Sequence, residues 1–289
     1  MPELPEVETV RIGLSKFIIG KKIQSYSFDW PKSFPNSNTD ADHYLKSAMI
    51  VGIRRRAKVL LIDLDTKYTV MIHLKMTGQL VYKSDLDRFG AGHPSDSLIH
   101  ELPDSSTRVV LHFEDNSQLF FNDQRKFGWM RLIPTTMVDE VSFIKKLGPE
   151  PLESNFTFPD FQKRLLRRSR SSIKAVLLDQ TIIAGIGNIY ADESLWAAHI
   201  HPSRIVQDIS TLEIKNLLKE IRLILELAIE KGGSTDRNYV NAEGKKGSYL
   251  QIARVFRREG QACPRCQTTI QKIRVAGRGT HICPYCQKK

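Results

Sequence analysis

No stretch of this sequence approaches the ~18 apolar residues that a bilayer-spanning helix needs. Residues 1–30 also lack the basic, apolar and small-residue succession of a secretory signal. The expectation is a soluble, unexported, cytoplasmic protein with no membrane partner. Cysteine is missing from the first 262 residues, since all four occur in the last 27; a disulfide framework for the bulk of the chain is excluded. Internal repeats and low-complexity tracts are absent. Acidic residues are nearly missing from two places. Residues 163–174 carry six cations and no acid, and residues 254–289 carry nine Lys/Arg against Glu259 alone.

What is present bounds the fold. The 289 residues are 41% hydrophobic and 26% charged, which supplies real cores, excludes disorder as the main state and suits two ordinary domains. Forty-three Lys+Arg against 32 Asp+Glu give +11. Cations clustered in this way imply a polyanionic partner. Nucleic acid is favoured over an anionic membrane, because no basic amphipathic helix with an aromatic face occurs. The cysteines form Cys263-x2-Cys266 and Cys283-x2-Cys286, with 16 residues between the pairs. Two disulfides are the alternative. Paired CxxC knuckles at this spacing in a cytosolic chain favour one tetrahedral zinc, structural because four thiolates leave no open position.

Periodicity predicts a helix over Glu3–Ile19, with Val7, Val10, Leu14 and Phe17/Ile18 on one face and Gly20 as the stop. From Ile23 to Ile133 short β-type runs follow, among them Val59–Leu64, Val70–Leu74, Val109–Phe113, Leu119–Phe121 and Trp129–Ile133. They predict an antiparallel sandwich. Ser84–Ser106 reads as a long polar surface loop. Helices are predicted over Val138–Lys146, Phe158–Arg168, Ser172–Leu178, Ile189–His199 and Ser210–Lys231. The last has a Ser210-x-x-Glu213 capping box and a Gly232-Gly233 stop. The expected class is α+β, divided into a helix and β-sandwich domain (1–133), a linker (134–149), a helical domain (150–252) and a zinc module (253–289).

The opening Met1-Pro2-Glu3-Leu4-Pro5-Glu6 suits an ordinary helix start, with proline and acids in the first turn. It has a second meaning. Initiator Met before Pro is usually removed, which would leave a secondary amine. Attack of that amine on a sugar carbon gives an iminium with no N–H proton to lose, and this electron sink is what an elimination requires. Glu3 and Glu6 would place proton-transfer groups beside it.

Six segments together carry a resemblance. Met1–Val10 (MPELPEVETV), Arg56-Ala57-Lys58-Val59-Leu60, His73-Leu74-Lys75-Met76-Thr77-Gly78 and Asp123-Gln124-Arg125-Lys126-Phe127-Gly128 occur in that order. Gly185-Ile186-Gly187-Asn188-Ile189-Tyr190-Ala191-Asp192-Glu193 and Gly232-Gly233-Ser234-Thr235 follow, ahead of the cysteine module. The set resembles the bacterial formamidopyrimidine-DNA glycosylases, repair enzymes for oxidised purines, and spans nearly the whole chain. It implies a base-excising glycosylase and abasic-site lyase acting on double-stranded DNA with oxidised bases or abasic sites, as a monomer with one structural zinc.

By resemblance Pro2 is the nucleophile, Glu3 a proton donor, and Lys58 a phosphate contact that assists at the lesion. Arg278, within Ala276-Gly277-Arg278-Gly279-Thr280, corresponds to a phosphate-binding arginine at a hairpin turn and completes the expected catalytic set. Met76, Arg125 and Phe127 would ordinarily be core or turn residues. The resemblance makes them a wedge that fills the gap left by an extruded nucleotide. Lys174 and Asn188 would grip the backbone through a helix–two-turn–helix element, and His73 is a further backbone contact. The turn before Asn188 is too short for a dinucleotide fingerprint. Gly233–Tyr249, including Tyr239 as a DNA contact, resembles a loop that closes over the everted base.

Departures from the family pattern include Gln124 where Pro or Val is frequent, Ala262 before the first Cys, and Ser106-Thr107-Arg108 in place of a His-Thr-His. The Ser84–Ser106 segment is longer than usual. Two other readings compete: an endonuclease VIII-like enzyme for oxidised pyrimidines, and a non-catalytic zinc-ribbon nucleic-acid-binding protein. Leu4 and the intact Met76, Arg125 and Phe127 set favour the purine enzyme. A pure binder leaves Pro2-Glu3, Lys58 and Asn188 without purpose.

Overall fold

The computed structural model describes residues 1–93, 95–234 and 249–289. The chain divides into two compact units, Met1–Lys145 with Lys231–Ser248, and Lys146–Glu230 with Tyr249–Lys289.

In the first unit, helix α1 (Leu4–Ile18) buries Val7, Val10, Leu14 and Ile18 along one stripe. Gly20 follows it at φ +83, a left-handed conformation that glycine adopts without strain. After β1 (Ile23–Phe28) and the short α2 (Asn38–Tyr44) come β2 (Ile50–Arg56), β3 (Val59–Leu64), β4 (Tyr68–His73), β5 (Gly78–Lys83), β6 (Arg88–Gly92), β7 (Thr107–Phe113), β8 (Gln118–Asp123) and β9 (Trp129–Pro134). They form a five-stranded sheet, order β1-β7-β8-β5-β6, and a four-stranded sheet, order β2-β3-β4-β9. Every pairing is antiparallel. Leu60, Ile62 and Ile72 from one sheet share a core with Leu80, Leu111 and Phe121 from the other and with α1. Two connections therefore cross between the sheets at the same corner. Residues 74–77 link β4 to β5 and residues 124–128 link β8 to β9, while Gly78 pairs with Asp123 and His73 with Trp129.

Two expectations are corrected here. Ser84–Ser106 is not simply a surface loop, because it contains β6, an edge strand paired with β5. Its Leu98 and Leu102 are buried with Val81, Val110 and Phe120. The strand reads Arg-Phe-Gly-Ala-Gly, and two glycines erase the β-branched alternation that marks a strand. Gly92 is required there, since a Cβ would lie 2.5 Å from the Gly78 carbonyl oxygen. The helix expected over Val138–Lys146 shrinks to α3 (Ser142–Lys145) after a 3-10 turn at Thr135–Met137. Only Val138 and Ile144 bury apolar side chains in that stretch, too few to hold a longer helix in place.

The second unit is helical: α4 (Phe158–Leu166), α5 (Ile173–Leu178), α6 (Asn188–Ala197), α7 (Thr211–Glu230) and α8 (Tyr249–Ile252), followed by the hairpin β10 (Gln271–Val275) and β11 (Arg278–Ile282). The α7 capping box is formed. The Ser210 amide donates to Glu213 Oε2 at 2.8 Å, and the Glu213 amide donates to Ser210 Oγ at 3.3 Å. Its stripe from Ile214 to Ala228 is buried among Phe161, Ile173 and Tyr190. The cysteine module is part of this unit. Trp196 of α6 packs with Val255, Ile270, Cys263 and Cys283. The boundary at Lys145/Lys146 falls within residues 134–149.

Candidate active site and nucleic-acid interface

Pro2 and Glu3 are buried at the start of α1 while Met1 is exposed. The Glu3 amide donates to Glu6 Oε2 at 2.7 Å, satisfying one of the orphan donors of the first turn. The other Glu6 oxygen accepts the Ser234 amide at 2.7 Å. Gly233 sits at φ +81, where a Cβ would come within 3.0 Å of Glu6 Oε1, so glycine permits this approach. Lys58 lies at the tight β2–β3 turn, beside Ala57 at φ 52, rather than within a strand. Its side chain is buried, and that burial pushes the ammonium below its ordinary value, against the opposing charges of Glu3 and Glu6. A lysine so held can exchange a proton more readily than a solvated one.

Met76 and Phe127 stand on the two crossing connections, 40% and 56% exposed. Neither belongs to the core. The Arg125 guanidinium lies over the Phe127 ring at 4.9 Å, so the three side chains expected to form a wedge are presented on neighbouring loops. At the base of the first loop, His73 Nδ1 accepts the Lys75 amide at 3.0 Å, which leaves the ring proton on Nε2. Burial first, then the charges of Lys75 and Lys58, push its pKa down to about 3. His73 is thus a neutral donor through the physiological range.

In the second unit the structure places Lys174 differently from the expectation. Its ammonium is fully buried, 2.6 Å from Asp192 Oδ1 and 2.7 Å from Thr280 Oγ1. Asp192 Oδ2 accepts the His281 amide at 2.9 Å. Asn188, the first residue of α6, donates from Nδ2 to the Gly279 carbonyl at 3.1 Å, and Lys174 reaches the same oxygen at 3.4 Å. A direct grip of Lys174 on phosphate is therefore corrected to an internal role, because its ammonium is engaged by Asp192 of α6 and by Gly279 and Thr280 of β11. What these groups hold is the hairpin, whose two-residue turn has Ala276 at φ 50 and Gly277 at φ 72, the primed geometry that matches strand twist. Arg278 is exposed beside that turn.

The four cysteines are free thiols whose sulfurs all lie within 4.8 Å of one another. The closest approaches are 3.4 Å for Cys266–Cys283, 3.5 Å for Cys266–Cys286 and 4.0 Å for Cys263–Cys286. These separations are too long for disulfides. They bracket the ~3.8 Å edge of a tetrahedron built on zinc–sulfur bonds. The donor set fits one structural zinc held by Cys263, Cys266, Cys283 and Cys286.

Tyr239 and residues 235–248 of the Gly233–Tyr249 segment lie outside the described residues. Sequence reasoning missed Asp192, Asp123 and Arg108. Each is a buried polar residue with at least one distant partner, His281 for Asp192, Thr77 for Asp123 and Asp29 for Arg108, and only its appearance inside a quoted motif could have flagged the first two.

Comparison with known proteins agrees with this geometry. The family profile described as the formamidopyrimidine-DNA glycosylase N-terminal domain matches residues 1–130. The glycosylase H2TH domain profile matches 147–239, and the zinc finger found in FPG and IleRS matches 260–289. Formamidopyrimidine-DNA glycosylase from Streptococcus pneumoniae is 43% identical over 289 residues, covering 100% of both chains. That of Pelotomaculum thermopropionicum is 41% identical, covering 100% of this chain and 99% of its own. A solved structure of a Lactococcus lactis FPG mutant with Fapy-dG containing DNA superposes with a TM-score of 0.88 at 38% identity, with full coverage of both chains. The sequence profiles, the full-length relatives and the shared fold give one answer: this chain is a member of the formamidopyrimidine-DNA glycosylase family.

Proposed function

We propose that the protein is a bifunctional DNA glycosylase and abasic-site lyase that excises oxidised purines from double-stranded DNA, working on the bacterial nucleoid. The observation that carries this reading is the chain start. There a buried Pro2 and Glu3 adjoin a buried Lys58, whose pKa burial depresses against the opposing charges of Glu3 and Glu6. Once Met1 is removed, the Pro2 nitrogen attacks the sugar C1′, and the glycosidic bond breaks with its electrons going to the departing base, which takes up a proton. Glu3 protonates the sugar ring oxygen as the ring opens, leaving a Pro2 iminium. Loss of a C2′ proton then expels the 3′ phosphate, and a second elimination expels the 5′ phosphate. Lys58 contacts phosphate and assists proton transfer in these steps, and Arg278 binds phosphate. Zinc, when bound, supplies no chemistry beyond fixing the hairpin.

The substrate class follows from the relatives. Lactococcus lactis Fpg has been captured with Fapy-dG and abasic-site DNA, and MutM with carbocyclic 8-oxo-G containing DNA. A complex with oxidised pyrimidine DNA also exists, so pyrimidine lesions belong in the substrate panel. The test is borohydride trapping on abasic-site DNA, with the adduct mapped by protease digestion and mass spectrometry. An adduct on Pro2 is expected. A crosslink on Lys58 with Pro2 unmodified overturns the assignment, and no adduct at all favours a pure binder.

A further inference from the structure

We infer that Asp123 is the positioning residue that locks Met76, Arg125 and Phe127 into a single rigid wedge, a role that rests on the wedge reading itself. The two loops that carry these side chains are residues 74–77 and 124–128. Each crosses between the sheets, is short, and projects large apolar groups into solvent. One carboxylate ties them together. Asp123 Oδ2 accepts the amides of Phe127 at 2.8 Å and Gly128 at 2.6 Å. Oδ1 accepts the Arg125 amide at 3.2 Å and the hydroxyl of Thr77, the residue after Met76. Thr77 Oγ1 in turn accepts the Arg125 amide at 3.1 Å.

The carboxylate is itself immobilised. Asp123 is fully buried at the end of β8 and paired with Gly78. Its amide donates to the Ser106 carbonyl at 2.7 Å, and its carbonyl accepts Arg108 Nε at 2.9 Å. Arg108 is buried and also ion-pairs with Asp29. The Ser106-Thr107-Arg108 departure from the family pattern thus acts as a brace behind Asp123. Gly128 completes the fit, since a Cβ there would lie 2.6 Å from the Phe121 ring and 3.1 Å from Asp123 Oδ2. The Gln124 side chain is exposed. Two oxygens accepting four donors is a pattern that only a carboxylate can supply. Asparagine would turn an N–H2 group toward N–H donors.

Unstacking can be read without catalysis. The fluorescence of 2-aminopurine next to an abasic-site analogue in duplex DNA should rise when the protein binds, as the wedge enters the stack. Phe127→Ala should abolish the rise. Asp123→Asn and Thr77→Val should diminish it, while Thr77→Ser, which keeps the hydroxyl, restores it. In activity, Asp123→Asn should lower excision of a base from duplex about 10- to 100-fold more than cleavage of a pre-formed abasic site, the range expected when hydrogen bonds to a charged group are lost. Far-UV circular dichroism shows whether Asp123→Asn folds; if it does not, the Thr77→Val and Thr77→Ser pair decides. A wild-type rise with Phe127→Ala refutes the wedge reading. Loss with Phe127→Ala but a wild-type rise with folded Asp123→Asn, or equal behaviour of Thr77→Val and Thr77→Ser, overturns the inference and leaves the wedge standing.

Discussion

Breaking the ion pair between Lys174 and Asp192 should loosen the hairpin that presents Arg278. Both side chains are 0% exposed and 2.6 Å apart. Removing one partner of a buried pair typically costs ~3–5 kcal/mol, mostly because the other charge stays buried without compensation. Lys174→Met and Asp192→Asn should each destabilise the second unit by about that amount. The Lys174→Met/Asp192→Asn double variant should fall short of their sum by ~1–3 kcal/mol, since it no longer strands a charge. Because Asp192 also accepts the His281 amide and Lys174 holds Thr280, the damage should concentrate on β11. Amide hydrogen exchange of Thr280 and His281, measured beside that of the α7 amides, reads this locally. Faster exchange in β11 than in α7 is expected, with faster transfer of zinc to a chromogenic chelator. Single variants that add within ~0.5 kcal/mol, with β11 protected as in the wild type, would refute the argument.

Four further outcomes are expected. Retaining Met1, or fusing a tag before Pro2, turns the amine into an amide nitrogen and should abolish base release and borohydride trapping while lesion binding, read by gel shift, largely survives. Affinity for lesion DNA should drop steeply across a salt series, because the cations of 163–174 and 254–289, Lys174 excepted, meet phosphate; a flat response would place them in solvent. His73 has a pKa of about 3 when folded against about 6.5 when unfolded, so the stability it gives is present above pH 6.5 and is lost as pH falls toward 3. Urea unfolding should lose up to ~1.4 kcal/mol per pH unit from this group between pH 6.5 and 5, and His73→Gln should shallow that slope, leaving the contribution of His201, whose pKa burial also lowers. Cys266→Ser should drop bound zinc below one per chain by elemental analysis and weaken DNA binding while the β-sandwich stays folded.

The sequence was most readable where a local rule operates. The α7 stripe and its Ser210–Glu213 box needed only helical spacing and one capping motif, and the zinc ligands needed only CxxC pairs. Strand β6 was hidden because Gly90 and Gly92 carry no β signature, although their neighbours Phe89 and Ala91 are buried. Lys174 was misplaced for a related reason. It ends a run of six cations, and the run's character describes its exposed neighbours. Its partners lie 18 and 106 residues away, a separation no window of periodicity covers. Asp123 and Arg108 escaped in part similarly, since a buried polar residue is recognised by what it bonds, and Thr77 and Asp29 reach them only after the strands have paired.

Glu6 has one consequence that concerns timing. Its two oxygens are divided between the backbone of residue 3 and that of residue 234, the latter 228 positions from Glu6. A displacement at either end must break or drag the same carboxylate. Rearrangement of the chain start and of the turn at Gly233–Ser234 should therefore relax together, with a single time constant, and shortening the tether by Glu6→Asp should split that one relaxation into two.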